Sequence, residues 1–224
     1  MRFNEAKHIR EVLSEMVIKD ISPVLNLGSS TKNFREKEQP HIDEFIFKPL
    51  EEKGVKIYHA DMKKSKGVDL VGDIYNKEYQ KEIKALSPKL IMCCNIFEHV
   101  TDSKGFAEIC DELLPSGGFM LVTVPYSYPY HNDPIDTYFR PSPEEIAELF
   151  EGYELIHQEI VSDISYREEL IMKFPGAKLW VYLLKSFVKF FMPFNNFNAW
   201  KKRYHRYFWL FRPFKVSCVL LKKS

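Results

Sequence analysis

Along the first 160 residues, short apolar runs alternate with amphipathic stretches. In "NEAKHIREVLSEMVIKD", Ile9, Val12, Leu13, Met16 and Val17 recur at helical spacing among charges of both signs, which predicts a helix over residues 1–20. "VLNL" then reads as a strand entering the turn "GSS", and residues 31–53 as a polar helical stretch with Pro40 and Pro49 as breakers. "GVKIYHADM" predicts a second strand, "GVDLVGDIY" a short apolar segment, and "EYQKEIKALSP" a helix stopped before Pro88. "KLIMCCNIF" is apolar without alternation, as a strand covered on both faces must be, so it predicts the centre of the sheet. The pattern continues through the helix of "DSKGFAEICDELLPSGG", the strand "FMLVTVP", a helix "SPEEIAELFEG" capped by Ser142, and the strands "YELIHQEIV" and "FKVSCVLLKK".

Strands alternating with helices predict an α/β fold: a Rossmann-like, doubly wound, mostly parallel sheet with helices on both faces. Residues 163–211 interrupt the alternation before the last strand and are too rich in apolar residues for a linker, so they predict a helical insertion. The expected organisation is an N-terminal helix (1–20), a core (21–162), the basic and aromatic insertion (163–211) and a final core strand (212–224). The length, 224 residues with 45% hydrophobic content, suffices for one full core.

Charge sharpens the division. All 31 acidic residues fall within residues 1–170, whereas residues 171–224 hold 12 of the 32 basic residues and 15 of the 33 aromatic ones. Cys93, Cys94, Cys110 and Cys218 show no metal-type spacing, and the adjacent pair lies in the apolar run, which points to reduced thiols in a cytoplasmic setting without a metal. The N-terminus lacks the uninterrupted apolar centre of an export signal.

In such a sheet, ligands bind beyond the carboxyl ends of the central strands. Gly28 stands where the first strand ends, and a glycine there either makes an ordinary turn or lets the backbone approach an anionic ligand. Asp61 and Asp73 close the next two strand segments, where carboxylates can accept from ribose hydroxyls or an adenine amino group. The interval from Gly28 to Asp61 exceeds the ~20 residues of a dinucleotide fingerprint. Asn95, Glu98 and His99 follow the central strand over the same crevice.

With "EHV", "LLPSGG" and "VPYSYPYHNDPIDTYFRPSPEEIAELF" in this order, the chain resembles the class I S-adenosylmethionine-dependent methyltransferases over roughly residues 20 to 161. The resemblance implies S-adenosylmethionine as cofactor. It implies that Asn26, Gly28, Ser29 and Ser30 form the loop around its methionine part, that Asp61, followed by Met62, binds the ribose, that Asp73 and Ile74 lie near the adenine, and that Asn95 lines its reactive end. The family loop resembles DxGxGxG. Here Asn26 replaces the acid, Ser30 the second glycine and Lys32 the third, which removes a charged hydrogen bond of ~1.5 to 3 kcal/mol to the cofactor's ammonium.

Methyl transfer to a hydroxyl needs alignment and removal of a proton. His131, Asp133, Asp136, Tyr138 and Arg140 cluster after the fifth strand: His131 reads as general base, Asp136 as its orienting partner and Arg140 as a clamp on an anionic acceptor, against the alternative that Asp136 and Arg140 form a structural ion pair. His99 reads as structural. In the tail, "AKLWVYLLKSFVKFFM" puts Lys178, Lys185 and Lys189 on one stripe of an apolar helix; its ~24 Å falls short of the ~30 Å hydrocarbon core. It reads as a lid over the acceptor, an interfacial helix on an anionic membrane through residues 177–212, or a homo-oligomer contact. The acidic front opposes nucleic acid. The expected activity is O-methylation of a small-molecule or glycan-type, lipid-linked acceptor; the rivals are a cofactor- or nucleotide-binding module without turnover and a membrane-associated interaction protein.

Overall fold

The computed structural model describes residues 1–131, 135–192 and 196–224. Helix α1 (Phe3–Ser14) and the short α2 (Ile18–Ile21) lead into β1 (Val24–Leu27). Two π-helical segments, Phe34–Glu38 and Asp43–Phe47, alternate with α3 (Pro40–Ile42) and α4 (Lys48–Glu52). Next come β2 (Ile57–Asp61), β3 (Leu70–Val71), α5 (Lys77–Ala85), β4 (Leu90–Cys94), α6 (Ser103–Leu113), β5 (Phe119–Ser127) and α7 (Pro143–Ala147). Strand β6 (Tyr153–Ser165) is followed by α8 (Tyr166–Lys173), α9 (Ala177–Phe190), α10 (Phe197–His205) and β7 (Pro213–Lys223).

Among the described residues the seven strands form one sheet in the order β3-β2-β1-β4-β5-β7-β6. Strands β1 to β5 pair in parallel, while β7 runs antiparallel between β5 and β6. The sheet is therefore Rossmann-like with helices on both faces, as the alternation predicts, and β4 is its middle strand. Residues of β4 divide between two cores. Ile91 and Cys93 meet Ile83, Phe106, Cys110 and Ile146 from α5, α6 and α7, while Leu90 and Met92 meet Ile9, Leu13, Ile42, Ile46 and Leu50 on the other face. Burial on both faces is why the run is apolar throughout.

Local chemistry sets the helix starts. Asn76 caps α5 through the amides of Glu78 and Tyr79, Asp102 caps α6 through Gly105, and Ser142 forms a capping box with Glu145 at α7. Two details differ from expectation. Pro49 does not break the helical stretch; it lies in the first turn of α4, where its missing N–H leaves nothing unpaired. Val17 is not on the buried stripe of α1, because that helix ends at Ser14 and Val17, 55% exposed, precedes α2.

Helices α8 and α9 and the turn at Arg206–Trp209 pack a third, smaller core of Tyr166, Leu170 and Phe214, with Tyr128, Leu179 and Tyr182 against it. The insertion therefore stands on the carboxyl edge of the sheet, where β5 and β6 end.

Candidate functional site

Parallel pairing brings the ends of β1, β2 and β4 to one edge, so the loops after them face a common crevice. Gly28 adopts φ +63°, and a Cβ there would meet Ile96 Cδ1 at 2.5 Å; only glycine fits. Ser30 is also left-handed, φ +54°, and its amide donates to Asp61 Oδ2 at 2.8 Å, while the Lys63 amide donates to Oδ1 at 2.9 Å. The buried Arg35 reaches back beneath this loop, donating from Nη1 to the carbonyls of Ser29 and Ser30 (2.8 Å each) and from Nη2 to Gly67 O at 2.7 Å. A guanidinium thus pins three carbonyls on two loops at once, which fixes the first loop without its usual glycines.

Asn26 is buried and its Nδ2 lies 3.0 Å from His59 Nδ1, its register partner on β2. Burial, with Arg35 nearby, pulls the His59 imidazole down to about 4, so at neutral pH it is uncharged and Nδ1 can accept from the amide. Asn26 is therefore a strut between strands. Asp73 is exposed and accepts the Tyr75 amide on Oδ1 at 3.0 Å, with Oδ2 taking no bond among the described residues; Ile74 is half-buried beside it. Met62 is 70% exposed.

On the β4–β5 side the first surprise is Glu5 of α1, a buried carboxylate that joins the end of β4 to the middle of β5. Its Oε1 accepts from Asn95 Nδ2 (2.6 Å) and Thr123 Oγ1 (2.7 Å), and its Oε2 from the Arg2 amide (2.8 Å). Asn95, at φ +54°, is thereby tied by its side chain to α1. Three residues on, Glu98 is 1% exposed and neither carboxylate oxygen has a hydrogen-bond partner; burial pushes its carboxyl up to about 8. Beside it, His99 Nδ1 contacts the Ile135 carbonyl and Nε2 lies 3.9 Å from Glu98 Oε1.

The loop after β5 closes over these groups. Thr137 donates to the Glu98 carbonyl through both its amide (2.8 Å) and its hydroxyl (3.1 Å). Asp136 accepts from Arg140 Nη1 and Nη2 at 3.1 and 2.6 Å and from the amides of His131 and Tyr138 at 2.9 and 2.8 Å. Burial raises the Asp136 carboxyl, but these donors outweigh it and hold it below the usual carboxylate range. Arg140 also donates to its neighbour's carbonyl, Phe139 O, at 3.0 Å and lies over the Tyr138 ring, so its guanidinium binds the loop together and both Nη atoms are engaged. The His131 ring is 5.3 Å from that of His99 and 5.6 Å from that of Tyr128; its Nδ1 is 3.2 Å from Asp136 Oδ2 yet forms no aligned hydrogen bond. Burial outweighs the pull of Asp136 and lowers the His131 pKa, which keeps the ring neutral. Asp133 lies outside the described residues.

The insertion supplies a further wall. Tyr130 N donates to His205 Nε2 and Trp209 Nε1 donates to Ser127 Oγ, each at 3.2 Å. Helix α9 turns Leu179, Tyr182, Leu183 and Ser186 inward and leaves Trp180, Leu184, Phe187 and Phe191 exposed beside Lys178, Lys185 and Lys189.

Gly28, Ser29, Ser30, Asp61 and Asp73 thus follow β1, β2 and β3 and Asn95 follows β4 at the carboxyl edge of the sheet, while His131, Asp136 and Arg140 are joined in the loop after β5. Sequence reasoning missed Glu5, Arg35 and His59. Glu5 carried a readable signal, since it precedes Ile9 by one helical turn on the apolar stripe; Arg35, inside the charged run "FREKE", carried none.

No protein-family model and no curated protein matches the sequence. Solved structures do match the fold. A coclaurine N-methyltransferase bound to N-methylheliamine and SAH superposes with a TM-score of 0.57 over 97% of this chain and 70% of that one, at 14% identity. The phosphoethanolamine N-methyltransferase 2 of Haemonchus contortus, in complex with phosphomonomethylethanolamine and S-adenosylhomocysteine, has a TM-score of 0.50 over 99% of this chain and 52% of that one, also at 14% identity. At such identities the likeness is one of architecture: the chain has the class I S-adenosylmethionine-dependent methyltransferase fold.

Proposed function

We propose that the chain is an S-adenosylmethionine-dependent methyltransferase acting on an oxygen of a small-molecule or glycan-type acceptor. The observation that carries this reading is the pairing of Gly28, which has no room for a Cβ, with Asp61, whose carboxylate ends β2 and is held by the Ser30 amide. The residues fit the cofactor: each Asp61 oxygen has one amide partner and a lone pair to spare, and Asp73 Oδ2 is free to accept.

The cofactor, when bound, supplies an electrophilic methyl group on a sulfonium. Asp61 would accept the ribose hydroxyls, Asp73 and Ile74 would flank the adenine, and the loop Gly28–Ser29–Ser30 would border the methionine part. Asn26, engaged with His59, would contribute no direct contact, so the missing loop acid has no substitute at that position. Neutral His131 would take the acceptor's hydroxyl proton, with Asp136 orienting the ring and Arg140 fixing Asp136.

The outer face of α9 supports an acceptor at an anionic membrane surface. Trp180 at 75% exposure, with Leu184 and Phe187 exposed along the same helix beside Lys178, Lys185 and Lys189, is the kind of apolar and cationic surface that marks an interaction site. No helix among the described residues is long and apolar enough to cross a membrane.

Calorimetric titration with S-adenosylmethionine and S-adenosylhomocysteine, with Asp61→Ala as control, tests the core of the proposal. Saturable heat lost in the variant is expected, with a thermal shift alongside; ligand at ~100 times its dissociation constant adds ~2.7 kcal/mol of stability. Absence of heat and shift with both ligands would sink the reading. Flotation with vesicles containing phosphatidylserine tests the membrane part: binding that Trp180→Ser with Phe187→Ser leaves intact would remove α9 from it.

A further inference from the structure

The crevice holds a second kind of site. We infer that Glu98, His99 and His131 bind one divalent transition-metal ion at the acceptor end of the crevice. Each offers a ligand atom, and the three atoms lie within 4.8 Å of one another. Polarity points the same way as proximity. The Ile135 carbonyl can only accept, so His99 Nδ1 is the donor in that contact, and in the neutral ring Nε2 presents a lone pair. That lone pair faces Glu98 Oε1 across 3.9 Å, and the carboxylate, 1% exposed, has neither oxygen hydrogen-bonded. Where the carboxyl gives up its proton, two acceptors face each other in a buried space, an arrangement that a cation between them completes. A ring nitrogen of His131 completes a triangle, the carbonyl on His99 is the kind of outer partner that orients a ligating imidazole, and the Asp136 carboxylate stands 3.2 Å from His131 Nδ1.

One carboxylate and two imidazoles suit Zn²⁺, Mn²⁺, Co²⁺ or Fe²⁺ better than Ca²⁺ or Mg²⁺, which prefer oxygen ligands. The other histidine cluster, His8, His157 and Glu159, differs in kind: its two rings are already joined at 2.9 Å and its carboxylate is 54% exposed. Three protein ligands leave positions open toward the crevice. Resting on the methyltransferase reading, an acceptor hydroxyl would fill one of them, where the ion would orient that oxygen and weaken its hold on its proton, which would pass to solvent water at another open position; His131 would then act as ligand in place of base.

The test uses the full chain after chelation and dialysis, titrated with Mn²⁺ while free ion is followed by electron paramagnetic resonance, and with Co²⁺ while visible absorption is recorded. One ion per chain is expected, with affinity at least about tenfold weaker in Glu98→Gln and in His99→Asn and unchanged in His157→Gln. Circular dichroism checks each variant's fold; should Glu98→Gln misfold, His99→Asn decides. No binding, equal binding in the Glu98 and His99 variants, or binding lost only in His157→Gln would overturn the site. Cofactor calorimetry on the same samples separates the two proposals: ion binding without cofactor heat upholds the metal site while the methyltransferase reading falls, and cofactor heat without ion binding does the reverse.

Discussion

Along β1 and β2, Arg35 closes on three carbonyls, Asp61 on two amides, and Asn26 and His59 on each other. Along β4 and β5 the accounting is different: among the described residues, the buried side-chain atoms left without a partner are both Glu98 oxygens, His131 Nδ1, Arg140 Nε and Arg2 Nε. None of them lies on the β1–β2 side. An unsatisfied buried group costs ~1 to 3 kcal/mol, so several in one place persist only where something else completes them. The comparison teaches that the wall proposed for the cofactor is finished by the chain itself, whereas the wall proposed for the acceptor keeps buried polar atoms that the chain leaves without partners.

The sharpest way to break this contrast is to remove the most heavily bonded carboxylate on the acceptor wall. Asp136 accepts four bonds with its side chain wholly buried, so Asp136→Ala strands Arg140 and two amides and should lower stability by ~3 to 5 kcal/mol in urea unfolding. Cofactor affinity in the surviving folded protein should change little. A loss below about 1 kcal/mol would mean that the loop is not knit by this carboxylate, and an equal loss of cofactor binding would mean that the walls are not independent.

Glu5→Ala comes next. It leaves the Asn95 amide, the Thr123 hydroxyl and the Arg2 amide without their shared acceptor, for an expected loss of ~2 to 3 kcal/mol. Glu5→Gln should recover part of that, because an amide oxygen can still accept. If both variants melt with the wild type, α1 is not an anchor of the acceptor wall.

How far this division was legible depends on what each residue answers to. The apolar run of β4 announces the sheet centre because burial on both faces removes alternation, and Asp61 announces itself by closing a strand. Asn26 announces nothing: whether it faces a ligand or a neighbour depends on which residue of β2 lies opposite, and that register becomes definite only when the strands pair. The place of β7 between β5 and β6 was hidden for a similar reason, since the run "FKVSCVLLKK" carries no mark of direction. Glu98 and His99 were visible as a dipeptide, but their partners, Thr137 on the Glu98 carbonyl and Ile135 on the His99 ring, lie almost forty positions away and meet them only in the fold.

Acidification tests the cofactor wall. His59 has its folded pKa near 4, below the ordinary ~6.5 that applies to the unfolded chain, so between these values the unfolded state binds more protons. Stability supplied by the neutral ring is complete above pH 6.5 and is lost as pH falls toward 4. Since several other histidines are also lowered, the informative quantity is the difference: His59→Gln, whose amide oxygen can still accept from Asn26, should lose less stability than the wild type between pH 7 and pH 5, measured by urea midpoint. Parallel losses would place His59 in water and undo the strut.

The smallest effect concerns Ser30, which keeps a left-handed backbone without being glycine. That conformation costs a side-chain-bearing residue ~1 to 2 kcal/mol, and glycine forfeits ~0.5 to 1 kcal/mol of that relief through its freer unfolded chain. Ser30→Gly should therefore stabilise the protein slightly, by less than about 1 kcal/mol, and leave cofactor affinity within a few-fold, because the bond to Asp61 is made by the backbone amide. Gly28→Ala, by contrast, must displace Ile96 and adopt a positive φ at once, so it should lose both stability and binding. If Ser30→Gly weakens the cofactor as much as Gly28→Ala does, then the serine hydroxyl rather than the backbone shape is what the loop contributes. A wall finished by the chain alone should instead be indifferent to that hydroxyl.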